Sequence, residues 1–175
     1  MIVWIIGLSG AGKTTLANEV MDNISAAQGN AVLIDGDLIR EVFDNDLGYT
    51  MNDRKTNARR ICQLGKMLDD QGVNVVCAIL SLFPESREWN RENVKSYYEV
   101  FIDAPIENLV DRDSKGIYQK FKSGEIKDVA GMDLDFPRPD SADLIIKNTG
   151  SKEVLLDYAK FIADKMVTGN NELYL

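Results

Sequence analysis

Short apolar runs and helically spaced apolar residues alternate along this chain. Ile2 to Ile6 is a continuous apolar stretch that stops at Gly7, the pattern of a strand buried on both faces. Thr14 to Ala27 places Ala17, Val20, Met21 and Ile24 at helical spacing, and Gly29 ends that helix. Ala31 to Ile34 predicts a second strand, running into Asp35-Gly36-Asp37. From Asn52 to Gln71 the period is helical again, with Ile61, Leu64, Gly65 and Leu68 on one face and Gly72 as the stop. Val73 to Leu80 predicts a third strand. Arg87 to Tyr98 is polar and predicts a helix, and Glu99 to Ile102 a fourth strand. Pro105 suits the first turn of the helix that follows, where its missing N–H costs nothing. Leu144 to Ile146 predicts a fifth strand. Ser151 is placed to cap a closing helix with Val154, Leu155, Tyr158, Phe161, Ile162 and Met166 inward.

This alternation implies an α/β fold: a five-stranded parallel sheet with helices on both faces. The stretch 113–140 differs. It carries Lys115, Lys120, Lys122, Lys127 and Arg138 among glycines and prolines, and predicts a mobile basic lid rather than core. No repeat or linker divides the 175 residues, so 1–175 is expected to form one domain.

Composition narrows the chemistry. A net charge of −8 argues against nucleic-acid or anionic-membrane partners. The absence of histidine excludes Ser-His-Asp and Cys-His nucleophiles and histidine-ligated metals. Cys62 and Cys77 lie in apolar stretches without CxxC spacing, so buried free thiols and a cytoplasmic setting are expected. The opening apolar run is too short for a signal peptide or a membrane span.

Gly7-Leu8-Ser9-Gly10-Ala11-Gly12-Lys13-Thr14 matches GxxxxGK[ST] between a predicted strand and a predicted helix. Backbone amides of such a loop cradle phosphates, with the helix dipole behind them. Gly7, Ser9, Gly10, Ala11, Gly12, Lys13, Thr14 and Thr15 are therefore candidates for binding ATP. Lys13 would serve the β- and γ-phosphates, and Thr14 would ligate Mg²⁺. A guanine-reading Asn-Lys-x-Asp is absent, and the third strand ends at Ser81 rather than at an acid. A nucleotide-kinase-like phosphotransferase fits better than a switch or a motor. Asp35 and Asp37 follow the second strand, at the sheet end where ligands bind. Asp35 is the candidate to orient an acceptor hydroxyl and to hold Mg²⁺ through water. Arg40, Arg54, Asn57, Arg59 and Arg60 follow. Arg54 and Asn57 share a helix face, whereas Arg59 and Arg60 suit an anion site and a solvated face equally.

At this point the residues resemble the adenylyl-sulfate (APS) kinase family. The marks are the phosphate loop, Asp35-Gly36-Asp37 with Arg40, Leu47-Gly48-Tyr49, Asp53-Arg54 and Asn57-Ala58-Arg59-Arg60-Ile61. Val100 to Pro105, Arg112-Asp113, Lys115-Gly116-Ile117-Tyr118 and Gly124-Glu125-Ile126-Lys127 follow in order. The resemblance implies transfer of the ATP γ-phosphoryl group to the ribose 3′-hydroxyl of APS, with Mg²⁺, in sulfate assimilation, by an enzyme that tends to form homodimers. It implies Asp35 near the 3′-hydroxyl and Arg40, Arg54 and Asn57 on the acceptor nucleotide. It also implies Tyr49 stacked on the acceptor base, Lys115 in the lid near the phosphates, and Arg112 near the ATP adenine. Ser81, standing in for the serine of the family's Ile-Ser-Pro, joins Asp37 among the acceptor-site candidates.

Three positions depart from the family pattern. Leu38 replaces an asparagine, Leu80-Ser81-Leu82-Phe83-Pro84 replaces Ile-Ser-Pro, and Val129 replaces the phenylalanine that completes the clamp on the acceptor adenine. Phe83 or Phe136 could supply the missing wall. Otherwise the base is smaller, as in the related cytidine diphosphoramidate kinases, which phosphorylate a cytidine nucleotide for capsule modification. A nucleotide-binding regulator that transfers nothing is the alternative of another class.

Overall fold

The computed structural model describes residues 1–113, 115–149 and 152–168. Five parallel strands form one sheet in the order β2-β3-β1-β4-β5. They are β1 (Ile2–Ile6), β2 (Ala31–Asp35), β3 (Asn74–Ile79), β4 (Tyr97–Asp103) and β5 (Leu144–Lys147). The helices are α1 (Lys13–Ala26), α2 (Gly36–Val42), α3 (Met51–Asp70), α4 (Pro84–Asn93), α5 (Ile106–Arg112), α6 (Ile117–Lys122) and α7 (Lys152–Thr168). None is long and apolar enough to cross a membrane.

The apolar runs become strands because both sheet faces are covered. Successive side chains point to opposite faces. Val3 and Ile5 join Leu16, Ala17 and Val20 of α1 and Ile162 and Met166 of α7 on one side. Ile2, Trp4 and Ile6 join Ile61 and Cys62 of α3 on the other. Every residue of β1 and β3 is buried, so the phosphate loop springs from the most enclosed part of the sheet. Both cysteines are free and buried, and burial pushes the Cys62 thiol up to about 11.

Four features depart from the periodicity. The predicted helix 87–98 runs instead from Pro84 to Asn93, and Tyr97 and Tyr98 already belong to β4, paired with Ile2 and Val3. Aromatic residues suit a strand, and no glycine or proline marks the break at Val94–Ser96. The short helix α2 follows β2 directly. It is nucleated by Asp35, whose Oδ1 accepts the Asp37 amide at 2.9 Å as an N-cap. On α7, Val154 and Phe161 face outward, and the buried stripe is Leu155, Ala159, Ile162, Ala163 and Met166. The expected Ser151 cap lies outside the described residues. Finally, the stretch 113–140 is not all cover. Tyr118, Val129 and Ala130 are buried in it, and the first two join the main core.

Candidate active site

The phosphate loop, the start of α2, the N-terminal half of α3, the end of β3 and the stretch 115–130 enclose one cleft of about 910 Å³. That is near the upper end of the range for small-molecule sites. Ser9, Gly10, Gly12, Lys13, Thr14 and Thr15 line its floor. The loop needs its glycines sterically. Gly12 has φ +102°, and a Cβ there would lie 2.5 Å from Leu155 Cδ1. Gly12→Ala is expected to destabilise the fold by about 1–3 kcal/mol, readable as a lowered midpoint in thermal unfolding. An unchanged midpoint would show that the loop relaxes without cost.

Gly7 and Ala11 do not reach the cleft. A Cβ on Gly7 would meet Ile102 O at 3.0 Å, and Ala11 is buried with its carbonyl accepting the side-chain amide of Asn148 at 2.9 Å. Arg112, expected near the ATP adenine, is exposed at the end of α5 and does not line the cleft either.

Lys13 Nζ donates to Leu8 O at 2.8 Å. Burial, then the Lys115 charge, hold its ammonium down to about 8, against the pull of Asp35 and Asp37. The unfolded chain keeps this proton up to 10.5, so folding stability gains as pH rises from about 8 toward 10.5. Thr14 Oγ1 donates to Asp35 Oδ2 at 3.2 Å. This brings the start of α1 and the end of β2 together at one point. Hydroxyl and carboxylate oxygens are hard ligands of the kind Mg²⁺ accepts beside water and phosphate. No group of three His, Cys, Asp or Glu forms a protein cage among the described residues. Two protein oxygens at a phosphate loop therefore fit Mg²⁺ bound together with a nucleotide.

Beyond Asp35 the wall turns cationic. Arg40 is buried, and its Nη1 has no hydrogen-bond partner among the described residues. Asn57 is also buried. Its Nδ2 donates to Gly36 O at 3.2 Å, while its Oδ1 is unpartnered. Buried polar atoms are normally satisfied, so an unpaired donor and an unpaired acceptor lining one cleft mark places where a ligand would bond. Arg54 is used differently. It donates from Nε to Tyr49 O at 2.8 Å and from Nη2 to Asp128 O at 3.0 Å, tying the Tyr49 loop to the cover. The Arg40 and Arg54 guanidinium carbons lie 4.8 and 5.7 Å from the Tyr49 ring centroid. Lys115 closes the cleft from above, 3.0 Å from Asp37 Oδ2, and that contact raises its pKa. Val129, Ser81 and Phe83 line the far side.

Arg59 and Arg60 stay outside. Arg59 is exposed, and Arg60 makes two 2.7 Å bonds to Asp46. Phe136 packs near Phe101, with ring centroids 6.1 Å apart, and does not line the cleft.

The sequence of residues 1–147 matches the family model for adenylylsulphate kinase. The chain belongs to that family. It is accordingly a phosphotransferase with a hydroxyl group as acceptor. Among relatives of this adenylylsulphate kinase family member, the cytidine diphosphoramidate kinase of Campylobacter jejuni is 36% identical over 148 residues, covering 85% of this chain and 86% of the relative. The adenylyl-sulfate kinase of Bacillus pumilus is 36% identical over 167 residues, covering 91% and 84%. The fold matches that of the Mycobacterium tuberculosis APS kinase CysC solved with AMPPNP and APS. The TM-score is 0.85 at 32% identity, covering 95% of this chain and 96% of that one.

Two site-shaping residues of this family member escape sequence reasoning. Asn148 holds the underside of the phosphate loop. Tyr118, buried in a lysine-rich stretch, donates from its hydroxyl to Ser9 O at 3.0 Å. The second was noted only as part of Lys115-Gly116-Ile117-Tyr118, with no role attached, and nothing hinted at the first.

Proposed function

We propose that the chain transfers the γ-phosphoryl group of ATP to the ribose 3′-hydroxyl of a nucleotide acceptor, adenylyl sulfate in the leading reading. The observation that carries it is one cleft in which a phosphate loop meets Asp35, next to the buried Arg40 and Asn57, whose Nη1 and Oδ1 have no partner among the described residues. A regulator needs the first half of that cleft but not the second.

Lys13 and the loop amides hold the donor phosphates. Asp35 and Thr14 would hold Mg²⁺, which supplies charge neutralisation for the phosphates. Asp35 accepts the hydrogen bond of the acceptor hydroxyl and takes its proton as the new P–O bond forms and the bond to the ADP oxygen breaks. Arg40 and Asn57 fix the acceptor, with Asp37 and Lys115 at its rim. Tyr49 offers its ring to the base. The segment 113–140 closes over both nucleotides and excludes water. The decisive assay is ADP release from Mg-ATP with APS or CDP-phosphoramidate, with ³¹P NMR locating the new phosphate. No ADP with either acceptor would favour the non-catalytic alternative.

Val129 favours a second reading. An aliphatic side chain where the family has the second aromatic of its clamp grips a purine less firmly, and a lost base–aromatic stack is worth about 1–3 kcal/mol. A cytidine nucleotide would need less clamp. Phe83 lines the cleft and could stand in, whereas Phe136 does not reach it. Val129→Phe is expected to lower KM for APS relative to the cytidine compound. A parent enzyme already efficient on APS, with no shift in the variant, would remove Val129 from specificity.

The depressed Lys13 pKa gives a further expectation. Phosphates favour the charged ammonium, so Mg-ATP affinity should fall as pH rises past about 8, and binding at about pH 9 should take up a proton. Calorimetry in two buffers of unlike ionisation enthalpy reads that uptake. Proton-neutral binding there would remove Lys13 from the phosphates.

A further inference from the structure

Ser81 sits at the end of β3 with φ +55°, a conformation that residues with a side chain seldom adopt. It lines the cleft, yet it is almost completely buried. Two donors grip it from beneath. Arg87 Nη1 donates to Ser81 O at 3.0 Å, and Trp4 Nε1 donates to Ser81 Oγ at 3.3 Å. Neither donor is free to wander. Trp4 is fully buried in the central strand. Arg87 lies 3.9 Å, Nε to Oε1, from Glu99, whose side chain is only 2% exposed. Glu99 is the register partner of Trp4 on β4, so both stand on one sheet face beneath α4. Tyr97 Oη donates to Glu99 Oε2 at 2.9 Å, and Arg91 Nη2 lies 3.4 Å from the same oxygen.

A buried ion pair is a poor device for stability, because desolvation offsets most of the attraction. What such a pair does well is hold one geometry. Here the geometry ends on a serine hydroxyl at the wall of the cleft. With the Trp4 indole occupying one lone pair of Oγ, the hydroxyl proton has no protein acceptor among the described residues. It is free to donate to a ligand.

We propose that Arg87 and Glu99, neither of which lines the cleft, are positioning residues for the acceptor site: they lock Ser81 in its left-handed conformation so that its hydroxyl donates to the acceptor nucleotide. The proposal rests on reading the far side of the cleft as the acceptor site.

The test uses Arg87→Met, Arg87→Lys, Ser81→Ala and the double variant Arg87→Met with Ser81→Ala. With whichever acceptor the parent turns over, Arg87→Met raises acceptor KM about tenfold while kcat and KM for ATP move less than about threefold. Arg87→Lys recovers part of the loss. The double variant is no worse than Ser81→Ala alone, because nothing remains to be positioned. Additive losses, or equal effects on both substrates, would overturn the proposal. A second readout needs no acceptor. Trp4 and Trp89 are the two tryptophans of the chain, so the Trp4 indole N–H is readily assigned by NMR. It shifts in Arg87→Met as Ser81 swings away. An unmoved signal in a folded Arg87→Met protein would overturn the proposal even if neither nucleotide proves to be the acceptor. Loss of turnover on both nucleotides by the parent, with the signal shifting as expected, would instead fault the reading of the cleft.

Discussion

Lys13→Ala is expected to abolish phosphoryl transfer while leaving a folded protein. The reason lies in the unfavourable position of the native ammonium. It is desolvated enough to be held down to about 8, with Lys115 adding repulsion. A charge kept there costs the free protein stability and, in the proposed function, serves only when phosphate arrives. Its removal leaves one acceptor, Leu8 O, without its 2.8 Å donor, a loss of about 1 kcal/mol offset by relief of the buried charge. The thermal midpoint should therefore stay close to that of the parent. Turnover should fall by about a thousandfold or more, since a preorganised charge at the transferring phosphoryl is worth at least as much as an oxyanion-hole donor. Parent-like rates in a steady-state ADP assay would sink the assignment of the loop.

Asp35→Asn is the sharper experiment because it separates two duties of one side chain. Oδ1 caps α2 through the Asp37 amide, and Oδ2 meets Thr14. Asparagine caps a helix as well as aspartate does, so α2 and the cleft wall survive. What disappears is the negative charge that, in the proposed function, takes the acceptor proton. A drop in kcat of about 10²–10⁴ is expected, with ATP affinity changed far less. An unchanged kcat would remove Asp35 from the chemistry. Asp35→Ala should do the same damage and also cost about 1 kcal/mol of stability through the lost cap.

How much of this was legible in the residues varies with the kind of interaction. The strands were, because a parallel sheet covered on both faces leaves uninterrupted apolar runs such as Ile2–Ile6 and Asn74–Ile79. The phosphate loop and the Asp35 pair were, because their chemistry fixes residue type at fixed spacing. The arginines were separated only by the resemblance, which put Arg40 and Arg54 on the acceptor; residue type alone does not tell them from Arg59 and Arg60, whereas burial and partners do. Arg40 is buried with a free donor, Arg54 is committed to two carbonyls, and Arg60 is committed to Asp46. Helix α2 was not predicted, since seven residues give too little period. The outward Val154 and Phe161 were misplaced because α7 meets the core through small residues, Ala159 and Ala163, that carry little hydrophobic signal.

The hold of Asn148 on Ala11 O spans 137 residues. The same residue is tied through its backbone amide to Asp103 O at 2.8 Å, beside the fifth strand. During synthesis the ribosome thus delivers the nucleotide loop long before its brace. A nascent chain arrested before Asn148 carries every residue of the loop and lacks the hydrogen bond that props it. Nucleotide is then poorly placed to template early folding, and full affinity for it should emerge only when β5 has docked.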